Sequence, residues 1–339
     1  MYRGAALSFL KIALDISGRI CYNNTVRNGL VAQLGERRVR NAEVEGSIPF
    51  GSICGKPREE NSVPASAGTL LCFIRKGVCP MQSIIQQKLH EIEQQADVAV
   101  LYAVESGSRA WGFASPDSDY DVRFVYVRRR DDYLRLEKTS DVLEWQLDET
   151  LDISGWDLKK ALQLMYKSNP TIFEWDRSPV VYRSTPFWQQ IRQNFAPYFS
   201  VKSGLYHYLS MASSNYRTYL QEDTVRLKKY FYVLRPVLAA QWIAERRCPP
   251  PILFDILAES VLPAELRQIV AELKTQKMQT PEIGRGPRIP ELNAYFDRVI
   301  PELMTAAEAE DMHSTPGWEP LNRMFLDGIR FFENEASAL

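Results

Sequence analysis

Residues 119–127, DYDVRFVYV, are β-rich and alternate strongly, polar against apolar, from Asp119 to Phe124. A period of two marks a strand and excludes a helix, whose apolar positions recur at three and four. Side chains two apart on a strand share a face, so Asp119 and Asp121 project together, with Arg123 next along it. Tyr120, Val122, Phe124 and Tyr126 form the opposite, apolar face. Two neighbouring carboxylates repel unless a cation sits between them. Hard oxygen donors in that arrangement suit magnesium, which takes few protein carboxylates and completes its shell with phosphate and water.

The elements around this strand set an architecture. Residues 81–98 open a helix with Ile84, Ile85, Leu89 and Ile92 at helical spacing. Residues 97–105, DVAVLYAVE, read as a buried strand. Gly107-Ser108 breaks that pattern, residues 109–113 can start a short helix, and Pro116-Asp117-Ser118 is a turn. Residues 128–132 form a charged turn, residues 141–153 hold one or two further strands, and residues 155–167 form an amphipathic helix capped near Asp157. From Phe187 onward the pattern is helical, with long helices over 201–220 and 224–247 and shorter ones over 264–278, 290–311 and 320–333. The fold class is α+β: a small mixed sheet with helices over 82–183, then an all-helical domain over 184–339.

Composition excludes several alternatives. The net charge of −1 advertises no global basic field for nucleic acid. No apolar run reaches the roughly 18 residues a membrane span requires. Three histidines in 339 residues argue against a histidine-built metal site. Only Cys248 follows residue 81, which fits a reducing cytoplasm and no disulfide framework.

Residues 1–80 read differently. Residues 29–53, GLVAQLGERRVRNAEVEGSIPFGSI, resemble the conceptual translation of a transfer-RNA gene. Residues 31–37 back-translate to a sequence containing GCTC-AGTTGGGA-GAGC, the stem and loop of a D-arm, and residues 45–50 to the TTCGATT loop of a T-arm flanked by pairing GGG and CCC. The expectation is a spurious or disordered extension, with Met81 as the true first residue. A neighbouring tRNA gene says nothing about substrate.

Gly107-Ser108 stands where a strand ends and a helix begins. Glycine lets main chain approach a phosphate, the amides of a helix N-terminus favour anions, and a serine hydroxyl adds a donor. A Gly-Ser, a gap of this size and then Asp-x-Asp between apolar residues resemble the DNA polymerase beta-like nucleotidyltransferase superfamily. The stretches GSRAWGFASPDSDYDVRFVYV, DISGWDLKKALQLMYKSNPTIFEWDRSPVVY and LKKYFYVLRPVLAAQWI resemble its predicted members associated with RNA repair, and the likeness extends from about Gln82 to the C-terminus.

The resemblance implies transfer of a nucleoside monophosphate from an NTP to a hydroxyl, with two magnesium ions. It implies a third carboxylate on a later strand. Asp152, in Leu151-Asp152-Ile153, has that context; Asp157 is the rival, with a helix N-cap as its structural role, and Asp148 and Glu149 are the remaining choices. The expected metal ligands are Asp119, Asp121 and Asp152. The expected nucleotide contacts are Gly107, Ser108, Arg109, Arg123, Lys228, Lys229 and Arg235. The last three sit on one predicted helix, with Lys228 and Arg235 seven apart on a shared face. They read as a cationic wall for triphosphate or RNA backbone, against a solvated helix face. The acceptor is RNA in this reading. Its rivals are a protein acceptor, as in the small antitoxin nucleotidyltransferases that share Gly-Ser and Asp-x-Asp, and a non-catalytic RNA- or protein-binding module with a vestigial pocket.

Overall fold

The computed structural model describes residues 80–148, 150–280, 284–311 and 314–337. The expectation for residues 1–80 lies outside them except at Pro80, which opens the first helix, and Glu149 lies outside them too.

Helix α1 (Pro80–Ala96) buries Ile85, Leu89 and Ile92, a stripe at helical spacing. Strand β1 (Val98–Glu105) follows, then a single helical turn, α2 (Gly107–Ala110), then β2 (Tyr120–Arg128). A second one-turn helix, α3 (Arg130–Tyr133), leads to β3 (Val142–Leu147) and β4 (Leu151–Asp157). Helices α4 (Leu158–Tyr166) and α5 (Pro170–Trp175) precede β5 (Val181–Ser184). The five strands form one sheet in the order β3-β4-β2-β1-β5. The β2–β4 pair is parallel; β1–β2, β1–β5 and β3–β4 are antiparallel.

Alternation on β2 sends Val122, Phe124 and Tyr126 to the face that α1 covers, with Leu151 and Ile153 of β4 beside them. Val125, Val127 and Trp156 face the other way, into the larger core shared with the later helices. Asp121 and Arg123 are on the register of Val125, and Asp152 is on that of Trp156. The acidic face therefore turns towards the helical body.

That body begins with α6 (Pro186–Arg192), a 3₁₀ turn (Ala196–Tyr198) and α7 (Val201–Tyr219). A short strand β6 (Thr224–Arg226) then precedes α8 (Lys229–Arg246). Helices α9 (Phe254–Val261) and α10 (Ala264–Gln279) are followed by β7 (Arg285–Pro287), α11 (Pro290–Ala309) and α12 (Glu319–Ser337). The described residues fall within one compact unit, and the larger apolar cluster runs unbroken from Leu101 of β1 to Phe332 of α12.

Two expectations change. The predicted helix over 224–247 starts only at Lys229, because residues 224–226 pair antiparallel with residues 285–287, between the predicted helices over 264–278 and 290–311. The second part is thus helical apart from a two-stranded ribbon. The predicted helix over 155–167 starts at Leu158, because Gly155, Trp156 and Asp157 continue β4 alongside β2. A Cβ on Gly155 would lie 2.3 Å from the Phe124 ring, so the strand comes this close only with glycine there. Asp157 caps α4, accepting from the Lys159 amide at 2.8 Å.

Candidate active site

Asp121 and Asp152 are register partners on the adjacent parallel strands β2 and β4. Neighbouring strands lie about 4.8 Å apart, so the two carboxylates stand side by side on one face. Arg123 holds them. Its Nη1 donates to Asp152 Oδ1 at 3.0 Å and its Nη2 to Asp152 Oδ2 at 2.8 Å, a two-pronged grip. Nη2 also reaches Asp121 Oδ1 at 3.3 Å, and Nη1 donates to the Asp152 and Val122 carbonyls. At 4% exposure, Arg123 is a cation locked between two acids, and its donors point at protein oxygens.

Burial pushes the Asp121 carboxyl up to about 6; Arg123 opposes the rise, and Asp152 and Asp119 add to it. Asp119 lies just before β2, exposed. Among the described residues no group of three or more His, Cys, Asp or Glu side chains is disposed to hold a metal ion. The donor chemistry nonetheless fits magnesium, which needs one or two carboxylates and takes its remaining ligands from substrate phosphate and water. Asp121 and Asp152 would supply those carboxylates, with Asp119 at the edge. Asp157 lies at the far end of β4, occupied as the α4 cap and as acceptor from Tyr133 Oη at 2.9 Å. Asp148 turns back on its own loop, accepting from the Thr150 and Leu151 amides.

Gly107 packs against Asp121. Its φ is +61°, and a Cβ there would fall 2.0 Å from Asp121 Oδ2. The helix it opens is one turn long, and no side chain caps it. A turn this short has local amides but no macrodipole, which needs a longer run of aligned peptides. Ser108 is half-buried in that turn. Arg109 folds over the Tyr120 ring at 3.7 Å and donates to the Ser118 and Asp119 carbonyls at 2.7 and 3.0 Å. It ties down the loop that delivers Asp119.

The basic residues of α8 separate. Lys228, half-exposed, stands just before the helix. Lys277 of α10 lies within electrostatic reach of both Lys228 and Asp117, and donates to the Phe113 carbonyl at 3.1 Å. Lys277 thus lies between influences from the start of α8 and from the loop that leads to Asp119. Lys229 is buried over the rings of Tyr219 and Tyr232, at 4.0 and 4.3 Å. Arg235 is 2% exposed, 3.8 Å from the Glu174 carboxylate and 4.7 Å from the Trp111 ring. Its charge sits inside the fold, against the ring of Trp111, the residue that follows the Gly107–Ala110 turn.

Glu105, Tyr182 and Lys277 belong to this neighbourhood and are not singled out by the sequence reading. Glu105 is 1% exposed and accepts from the Asp121 amide at 2.8 Å and from the Tyr182 hydroxyl. Burial pushes its carboxyl up to about 7, against those two hydrogen bonds. The one available signal was an acid ending an apolar strand directly before Gly107-Ser108.

A family model described as RNA repair pathway DNA polymerase beta family matches residues 81–327. The chain belongs to that family. This polymerase beta family member is also 41% identical over 251 residues to the uncharacterised protein YcgL of Bacillus subtilis (strain 168), a stretch covering 74% of this chain and 96% of that one. A nucleotidyltransferase-like protein from Exiguobacterium sibiricum 255-15, of solved structure, overlaps 74% of this chain and 79% of its own at 11% identity and a TM-score of 0.22. Family membership implies nucleotidyl transfer, and with it an NTP substrate. No helix among the described residues is long and apolar enough to cross a membrane.

Proposed function

We propose that this family member is a magnesium-dependent nucleotidyltransferase that moves an NMP unit from an NTP to a hydroxyl of RNA, in a reducing cytoplasm. The observation that carries the reading is the register pairing of Asp121 with Asp152, with Gly107 pressed against the Asp121 carboxylate. That juxtaposition of two acids with a close-approach main-chain turn supports the reading.

In the reaction an acceptor oxygen attacks the α-phosphorus, the bond from that phosphorus to the oxygen bridging the β-phosphate breaks, and pyrophosphate leaves. Magnesium, two ions in this reading, supplies charge neutralisation at the attacking and leaving oxygens. The protein's share is placement. Asp121 and Asp152 would hold the cation, with Asp119 beside them, and Asp152 would take the acceptor's proton through an oxygen that Arg123 grips in this structure. Gly107 and Ser108 offer amides and a hydroxyl to the triphosphate, and Lys228 offers a point charge from the helical side. Arg123 keeps the acids parallel, while Arg109 holds the loop.

The test is incubation of the purified chain with α-labelled NTPs, magnesium, and separate RNA and protein pools. Label entering RNA, lost with a chelator and in a folded Asp121→Asn variant, is the expected result. Label in protein alone would replace RNA by a protein acceptor. No transfer in any arm, from folded protein, would leave a binding module.

A further inference from the structure

Glu105 serves three strands at once. It ends β1. Its Oε1 accepts from the Asp121 amide of β2 at 2.8 Å, and its Oε2 accepts from the Tyr182 hydroxyl of β5. Its own main chain is fixed as well, the amide on the Val180 carbonyl at 3.0 Å and the carbonyl on Ser178 Oγ at 2.6 Å. The next amide, Ser106, donates to the Asp121 carbonyl at 2.8 Å. Residues 105 and 106 therefore hold the Asp121 main chain on both sides, and residue 107 abuts its side chain.

A glutamine could accept from the Asp121 amide equally well. The carboxylate adds a second acceptor for Tyr182 and a negative charge, buried beside another acid. Burial and like charge both disfavour such a group in the fold on its own. The charge becomes favourable once a cation is bound in front of it.

Resting on the nucleotidyltransferase reading, we infer that Glu105 is a positioning residue for the cation site. It fixes Asp121 through the main chain and places a charge behind it that tightens divalent-cation binding, with Tyr182 holding the carboxylate in orientation.

Manganese binding to the full chain, without nucleotide, tests this by electron spin resonance beside thermal unfolding. Wild type should bind manganese more tightly than Asp121→Asn; if the two are alike, the cation-site reading fails and Glu105 has no such role. Given that difference, Glu105→Gln should weaken manganese binding by about tenfold, the usual effect of removing an outer partner of a metal ligand, at a near-unchanged melting temperature. Tyr182→Phe should shift the affinity the same way by less. A Glu105→Gln protein that melts lower yet binds manganese like wild type overturns the inference and leaves a structural staple. Should Glu105→Gln not fold, Tyr182→Phe decides, and unchanged affinity there also overturns it.

Discussion

At Gly107 two demands coincide. The residue holds φ +61°, and a Cβ would collide with Asp121 Oδ2 at 2.0 Å. The left-handed conformation alone costs an alanine roughly 1–2 kcal/mol. The collision moves the carboxylate, and with it the cation. Gly107→Ala should therefore cost far more activity than stability: transfer falls by about 100-fold or more, the scale on which small misplacements of reacting groups act, while the melting temperature drops by a few degrees. Near-normal turnover would show that Asp121 need not sit there. At Arg123 the balance reverses. Removing one partner of a buried ion pair leaves uncompensated charge and costs about 3–5 kcal/mol. Arg123→Met should lower unfolding stability on that scale in chelator, and magnesium should restore part of it by taking the vacated role between Asp121 and Asp152. Denaturant unfolding with and without magnesium checks this. Arg123→Lys should rescue poorly, since one ammonium cannot make the two parallel bonds to Asp152.

The β4 strand places Asp152, and its approach to β2 is set where Gly155 lies under Phe124. Gly155→Ala puts a methyl where ring atoms are 2.3–2.5 Å away. Overpacking of this kind costs about 1–3 kcal/mol. It should also lower turnover, because pushing β4 outward separates Asp152 from Asp121; unfolding and kinetics on one preparation would show both. Helix α7 makes a separate prediction about acid. His207 has its Nε2 buried without a hydrogen-bond partner, and burial pushes its pKa down to about 4. The unfolded chain thus takes up this proton between about pH 6.5 and 4, where the folded chain does not, so this residue makes stability fall as pH falls through that window. Buried Asp121 and Glu105, whose pKa values are raised, act in the opposite sense. The readout is consequently a difference: His207→Phe should gain melting temperature relative to wild type as pH drops from 6.5 to 4.5, and a constant difference would mean that the ring is protonated in the fold.

Across the whole molecule, the helical body supports the sheet's active face. Arg235 of α8 pairs with Glu174 of α5 and lies over Trp111, which follows the Gly107–Ala110 turn. Tyr208 of α7 donates to the same Glu174 carboxylate. A charge held there acts through packing, so Arg235→Met should register in unfolding, by about 3–5 kcal/mol, before it registers in the Michaelis constant for NTP. Lys228→Ala should do the reverse, raising that constant with the melting temperature near wild type. If Lys228→Ala changes neither quantity, the start of α8 does not meet the nucleotide.

Much of the site was legible because its logic is local. Strand alternation places Asp121 and Arg123 on one face from sequence alone, and the spacing from Gly107-Ser108 to Asp119-Tyr120-Asp121 carries the family likeness. Asp152 was a candidate only through that likeness, which implies a third acid on a later strand, and its rival Asp157 was equally visible. Other features depend on partners far along the chain. Residues 224–226 resemble a helix start until residues 285–287 pair with them. Gly155 resembles a helix opening until Phe124 is beside it. Lys229 and Arg235 resemble a cationic face until Tyr219, Tyr232, Glu174 and Trp111 enclose them. Glu105 shows in the sequence only as an acid at a strand end, because its partners, Asp121 and Tyr182, come from two other strands. Periodicity fixes which way a side chain points along its own element. Only tertiary packing decides what it then meets, and whether a charge ends in water, on a phosphate or on another residue.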